Sequence, residues 1–200
     1  TYETTFGIRS IKYGADFGFK LNGKKTRFKG VCLHHDLGPL GTAVNTRATE
    51  RQLEIMKDMG VNAIRTSHNP PSPEQVQLCD QMGLMIQVEA FDVWQMAKVE
   101  NDYSKHFDDW HEQDLRDMIR TFRNSPSVVM WSIGNEILEQ SQNTIGTEIA
   151  QGLVAICKDE DTTRPTTAGF NQYRKPMENG MADAIDLVGW NYKPRKYEEV

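Results

Sequence analysis

The residues best suited to chemistry stand at the end of an apolar run. Val-Val-Met-Trp-Ser-Ile (128–133) passes through Gly134 straight into Asn135 and Glu136. A carboxylic acid that closes a buried strand is costly to desolvate, so a structural role there needs a strong reason, whereas acid–base chemistry supplies one. Four other segments end in similar groups: His34, His35 and Asp36; Arg65, Ser67, His68 and Asn69; Glu89, Asp92 and Trp94; Trp190, Asn191 and Tyr192. Carboxylates serve as acid, base or nucleophile, amides and imidazoles hydrogen-bond hydroxyls, and indole faces stack on ring-shaped ligands.

Each group also has a plain structural reading. His34 and His35 are adjacent, so on a strand they point to opposite sides and at most one faces the cluster. His68 precedes Asn-Pro-Pro-Ser-Pro and could simply hold that turn. Glu89 could serve as a helix cap or pair with Arg65, and Trp94 and Trp190 could be core. A metal centre is not expected. The two histidines have no spacer between them, and neither HExxH nor a calcium-binding acidic ladder occurs.

The elements that must position these groups follow a rhythm. Residues 26–33 read as a strand and 47–59 as a helix with Leu53, Met56 and Met59 on one stripe. Strand 61–67 is followed by a helix with Ser72 as N-cap, Pro73 at its first position and Gly83 as its stop. Strand 84–90 precedes a helix over 108–123 carrying Trp110, Leu115, Met118, Ile119 and Phe122. After strand 128–133 comes a helix near 143–160 striped by Ile145, Ile149, Leu153 and Ile156. Segments 165–170 and 186–192 are strand-like, and the closing Lys-Tyr-Glu-Glu-Val reads as the opening of another helix.

Such alternation predicts a parallel α/β sheet with helical crossovers. The first strand lacks the glycine-rich phosphate turn of an open doubly wound sheet, and the polar groups gather at successive strand C-termini, where a (β/α)8 TIM barrel places its site. About six of eight units are present, so the barrel is expected to be incomplete. Residues 1–25, with an Asn22-Gly23 turn, read as a lead-in strand and hairpin, in character the tail of a preceding β-sandwich; residues 26–200 form the partial barrel.

Bulk properties narrow the class. With 38% hydrophobic and 26% charged residues the chain is globular rather than disordered. A net charge of -5 argues against nucleic acid or an anionic membrane as partner. No apolar run approaches the roughly 20 residues that span a bilayer. The chain opens in strand-like residues without a signal peptide and reads as an internal piece of a longer polypeptide, which leaves the compartment open. Cys32, Cys79 and Cys157 are read as buried thiols rather than a disulfide framework.

The blocks GVCLHHDLGPLGTAVN, MKDMGVNAIRTSHNPP, LCDQMGLMIQVEAFDVW and SPSVVMWSIGNE together resemble the barrel domain of glycoside hydrolase family 2, most closely its β-galactosidases, over about residues 6–192. The resemblance implies a (β/α)8 barrel and retaining hydrolysis of terminal β-linked sugars. It implies that Glu136 is the acid/base, with a pKa raised by its semi-buried position, and that Asn135 bonds the sugar 2-hydroxyl. His35 and His68 become sugar contacts, Glu89 and Asp92 line the mouth facing Glu136, and Tyr192 lies near the nucleophile. The nucleophile itself is expected beyond these residues, so the 200 alone should not turn over. No cofactor is implied. The magnesium-binding Glu-x-His of some members is absent from EAFDVW, so a divalent cation is unsupported. A β-glucuronidase, a metal-dependent barrel hydrolase using His34 or His35 with His68, and a non-catalytic sugar-binding module are the alternatives. Unpaired sheet edges predict self-association, including a homo-oligomer, unless the rest of the polypeptide closes the barrel.

Overall fold

The computed structural model describes every residue except Tyr2, Asn143 and residues 198–200. The chain opens with a small antiparallel sheet of β1 (Ile11–Gly14), β2 (Gly18–Leu21) and β3 (Lys24–Lys25). Asn22 and Gly23 both take positive φ, 50° and 78°, as a two-residue hairpin between right-twisted strands requires.

Six parallel strands follow in chain order: β4 (Gly30–His34), β5 (Ala63–Ser67), β6 (Met85–Glu89), β7 (Val128–Asn135), β8 (Thr166–Phe170) and β9 (Leu187–Trp190). The helices α1 (Thr46–Asp58), α2 (Pro73–Met82), α3 (Ser104–Phe122), α4 (Ile145–Glu160) and the short α5 (Arg174–Glu178) make the crossovers. The result is a half-barrel, with β4 and β9 each paired on one side among the described residues.

Local sequence accounts for most boundaries. The Asn45 side chain accepts the Ala48 N–H at 2.9 Å and starts α1. Ser72 caps α2, Pro73 follows, and Gly83 ends it in the left-handed conformation. Along α3, Phe107, Leu115, Met118, Ile119 and Phe122 are buried, and the helix is held by that apolar face. Burying each such side chain contributes roughly 1.5–3 kcal/mol. β7 is buried at all eight positions, as a central strand covered on both faces must be.

The small sheet sits under the N-terminal ends of the parallel strands. Phe19 packs with Ala63, Met85, Val129 and Met130, all at or near strand starts. The Tyr13 hydroxyl donates to the Val129 carbonyl at 3.0 Å, and Arg9 donates to the carbonyls of Pro126 and Val128. The opposite, C-terminal end of the sheet carries the polar strand tips.

Several expectations are corrected. Ladder pairing in β4 starts at Gly30, not residue 26, because the Asn62 side chain intercepts the preceding backbone: it accepts from the Lys29 N–H at 2.7 Å and donates to the Arg27 carbonyl at 2.9 Å. Met59, Trp110 and Ile145 are exposed, at 72%, 48% and 44%. Met59 is the cap residue of α1 and Ile145 the first residue of α4. The i+4 step from buried Phe107 lands on His111, which leaves Trp110 off the stripe. Cys32 is exposed, whereas Cys79 and Cys157 are buried and burial pushes both thiols up to about 12. Position 143 of the helix expected near 143–160 and positions 198–200 of the helix expected at the end lie outside the described residues; residues 194–196 form a short 3-10 turn.

Candidate active site

The tip of β7 leaves the sheet with a local irregularity. Its pairing with β8 shifts between Ser132 and Asn135, and Glu136 then takes a φ of 47° while its N–H donates to the Gly169 carbonyl at 2.7 Å. A left-handed conformation is strained for a residue with a Cβ, and surrounding contacts must hold it. Two glycines make room. A Cβ on Gly134 would stand 3.1 Å from the Trp94 indole, and one on Gly169 would stand 3.1 Å from the Arg65 guanidinium and 3.2 Å from the Asn191 amide.

Asn135 is buried and serves as the hub. Its Oδ1 accepts from Arg65 Nη2 at 2.7 Å and from Asn191 Nδ2 at 3.2 Å, and its Nδ2 donates to Asp92 Oδ1 at 2.9 Å. Below it, Glu89 has no exposed surface. It accepts from Arg65 at 2.9 and 3.1 Å, from the Ser132 hydroxyl at 2.6 Å, and pairs with His68 Nδ1 at 2.6 Å, beside the cis Ser67–His68 peptide. Glu89 thus orients Arg65 and His68 from beneath the surface. It is not open to a ligand, unlike the direct contact expected of it.

Glu136 is half-buried, and its carboxylate turns toward the tips of β8 and β9. Asn171 Nδ2 donates to Oε2 at 2.9 Å and Asn191 Nδ2 to Oε1 at 2.7 Å. The expectation is that it faces His68 and Glu89; its side-chain hydrogen bonds run instead to Asn171 and Asn191, and Asn135 makes the link to the Arg65 and Glu89 side. Its pKa is also opposite in direction to expectation. Burial pushes the carboxyl up, but donors on Asn191, Tyr192 and Asn171, aided by the Lys98 charge, outweigh it and hold Glu136 below the ordinary carboxylate range.

Tyr192 is exposed, has a φ of 61°, and its hydroxyl is pushed up by its bond to the Glu136 carboxylate. Asp92 is half-buried; burial raises its carboxyl, but Lys98 and Asn135 donate to it and bring it below the usual range. The histidines divide differently from expectation. His35 Nε2 is taken by the Thr42 carbonyl at 2.8 Å, so the loop after β4 holds it away. His34 stands edge-on to His68, with ring centroids 5.1 Å apart, and is the β4 residue at the mouth. Trp94 is core: its Nε1–H donates to the Ile133 carbonyl at 2.7 Å and it has no exposed surface.

Arg65, Gln87, Thr167, Gly169, Gly189 and Asn191 line the trough that leads from this mouth into the half-barrel, with a volume of about 510 Å³. Among the described residues no group of three or more His, Cys, Asp and Glu side chains is arranged to hold a metal ion. No described helix is long and apolar enough to cross a membrane.

Two residues of the site are not among the strand-tip groups read from the sequence. Asn171 directly follows the apolar β8, and the rule that picked out Asn135 and Glu136 would have found it. Lys98 lies in the long irregular loop between β6 and α3, where no periodicity points to it.

Comparison with known proteins now bears on this geometry. Residues 11–199 match the family model described as glycosyl hydrolases family 2, TIM barrel domain. The chain is 43% identical to beta-galactosidase BoGH2A of Bacteroides ovatus, over 96% of this chain and 26% of that protein. It is 34% identical to a beta-glucuronidase of Bacteroides fragilis, over 92% of this chain and 26% of that protein. The crystal structure of a glycosyl hydrolase family 2 member from Bacteroides cellulosilyticus superposes with a TM-score of 0.92 at 42% identity, covering 97% of this chain and 25% of that one. The 200 residues thus span about a quarter of the length of these relatives.

Proposed function

The chain belongs to glycosyl hydrolase family 2, through its TIM barrel domain, and on that premise we propose that the intact protein is a retaining glycosidase acting on terminal β-D-galactosides. Glu136 is its acid/base. The observation that carries the reading is the half-buried Glu136 carboxylate at the tip of a wholly buried strand, bonded by Asn171 and Asn191 and flanked by the Asn135 amide. In the first step Glu136 protonates the leaving oxygen; in the second it takes a proton from water. Asn135 grips the 2-hydroxyl of the sugar, a contact that strengthens as charge develops on the ring. His34 and His68 bond other hydroxyls, and Asp92 and Tyr192 border the sugar.

A retaining mechanism needs a second carboxylate about 5 Å from the first. Glu89 is buried and bonded on both oxygens, and Asp92 is held by Lys98 and Asn135. Neither is put forward as the nucleophile, which the family resemblance implies lies in the part of the polypeptide that completes the barrel. Its arrival would also raise the Glu136 pKa by like-charge repulsion, toward the value a general acid needs near neutral pH.

Galactosides are favoured over glucuronides because Arg65 and Lys98, the two cations bonded within this cluster, are both engaged by Glu89, Asp92 and Asn135, which leaves neither to receive a glucuronide carboxylate. Glu136→Gln in the intact protein is expected to lower kcat on unactivated aryl β-galactosides by roughly 10²–10⁴-fold, the usual worth of general acid catalysis. Full activity in that variant would overturn the assignment. A substrate panel that turned over only glucuronides would overturn the sugar.

A further inference from the structure

We infer that Lys98 is a positioning residue for the acid/base, holding the Asn135–Glu136 peptide in the turn that aims Glu136 at the leaving oxygen. The inference rests on the glycosidase reading and adds a residue to it.

The Lys98 ammonium donates to the Asp92 carbonyl at 2.8 Å, to Asp92 Oδ1 at 2.8 Å and to the Asn135 carbonyl at 2.7 Å. An ammonium has three N–H groups, and here all three have partners. None is left to bond a sugar, so Lys98 acts through what it holds. The Asn135 carbonyl belongs to the peptide that leads into Glu136, the residue at φ 47°. Fixing that carbonyl fixes the plane from which the strained turn departs. The same ammonium fixes Asp92, which accepts the Asn135 amide and so sets the angle of the side chain expected on the 2-hydroxyl.

The loop around Lys98 is itself tied down. Asp102 Oδ2 accepts the N–H groups of Lys98 and Val99 at 2.7 and 3.0 Å, and Oδ1 accepts the Ser104 N–H and hydroxyl at 3.0 and 2.6 Å. Desolvation pushes this carboxyl up, but those donors prevail and bring it to about 2, so the loop keeps its shape across the working pH range. A side chain on so well-held a loop, reaching a main-chain carbonyl one residue from the acid/base, transmits position. Among the described residues the charged and titratable groups of the cluster that holds Glu136 include Lys98 and Asp92 from the loop after β6, Arg65 from β5, His68 just after it, and Tyr192 after β9.

The test uses the full-length enzyme with Lys98→Met and Lys98→Arg, assayed on phenyl and 2,4-dinitrophenyl β-galactosides. Phenolate is a poor leaving group and needs the proton that a well-aimed Glu136 delivers; dinitrophenolate leaves without it. Lys98→Met is expected to lower kcat for the phenyl substrate on the order of 10²-fold, the cost of a small misplacement of a catalytic group, with a loss at least about tenfold smaller for the dinitrophenyl substrate. The basic limb of kcat/KM should move to higher pH, since a positive charge has left the surroundings of the carboxylate. Lys98→Arg keeps the charge but presents a planar fork in place of a tripod. It should leave the limb in place and still lose on the phenyl substrate. Equal losses on both substrates, or unchanged kinetics, would overturn the role of Lys98. A wild-type protein inert on every glycoside, or a fully active Glu136→Gln variant, would instead overturn the glycosidase reading on which it rests.

Discussion

The two ends of the parallel sheet solve the same electrostatic problem in different ways. At the N-terminal end, Arg164 and Asp161 are 6% and 7% exposed. Arg164 donates to Asp161, to the Val128 carbonyl and to the Ser125 carbonyl, and Asp161 also accepts from Trp131 Nε1 and from Thr163. Every strong partner is in place and both side chains are almost wholly buried, 6% and 4% exposed. At the C-terminal end the pairing is graded. Side-chain exposure runs from 0% at Glu89 through 16% at Arg65 and 23% at His68 and Lys98 to 41% at Asp92, and Glu136 is half-buried beside them. A sealed network can only hold elements together. A graded one has an outlet, where a ligand can replace water without dismantling the partners beneath.

The largest way to break this contrast lies at the sealed end. Asp161→Ala leaves the Arg164 guanidinium buried without its charged partner. Removing one member of a buried pair costs about 3–5 kcal/mol. Urea unfolding of the intact protein should show a destabilisation of that size, with KM and the pH profile of the folded enzyme unchanged. Lost activity at unchanged stability would mean that the two ends are not independent. The pair also has a pH signature. Burial raises the Asp161 carboxyl, but donors on Thr163, Arg164 and Trp131 lower it further. Its contribution is therefore present above the ordinary aspartate range near pH 3.9 and is lost as pH falls through the depressed folded value.

A smaller effect is expected from Glu89→Gln, at the foot of the graded network. The amide keeps the volume but removes the charge and one acceptor, so Arg65 and His68 lose their common anchor. Stability should fall by about 1–3 kcal/mol, the penalty for an unsatisfied buried group. kcat/KM should fall on the order of 10²-fold, because the hydroxyl contacts drift. Here both readouts move, whereas at the sealed end only stability moves; an active Glu89→Gln enzyme would erase the distinction.

The sheet and its crossovers were legible because their signals are local. Ser72, Pro73 and Gly83 delimit α2 by chemistry that acts within a few residues, and Asn22-Gly23 sets its turn alone. The cluster of strand tips was legible for a related reason: a parallel sheet brings all C-terminal ends to one side. What could not be read depends on distant partners. Whether His34 or His35 faces the mouth is decided by the Thr42 carbonyl in a loop without periodicity. The direction of Glu136 is decided by a positive φ that asparagines on two later strand ends support. Lys98 acts across 37 residues of sequence on the Asn135 carbonyl, and nothing in its own neighbourhood announces that. The direction of the Glu136 pKa is illegible in the sequence for the same reason. Burial was foreseen, but the donors that outweigh it were not.

That last point gives the finest test, at Asn171. Its Nδ2 donates to Glu136 Oε2 at 2.9 Å, a bond made to the charged form of the carboxylate. Asn171→Ala removes it, so the charged form loses stabilisation and the pKa of Glu136 rises. A general acid must hold its proton in the first step, and kcat/KM falls as pH climbs past its pKa. The basic limb should therefore move up by about one pH unit, since a hydrogen bond to a charged group contributes roughly 1.5 kcal/mol. The measurement is kcat/KM for an unactivated aryl galactoside across the neutral range, with Asp161→Ala as the companion from the sealed end. A limb that moves in the first variant and stays in the second ties the proton to the open end of the sheet. If neither moves, the group that sets the limb is not Glu136, and the exposure gradient at the mouth serves binding alone.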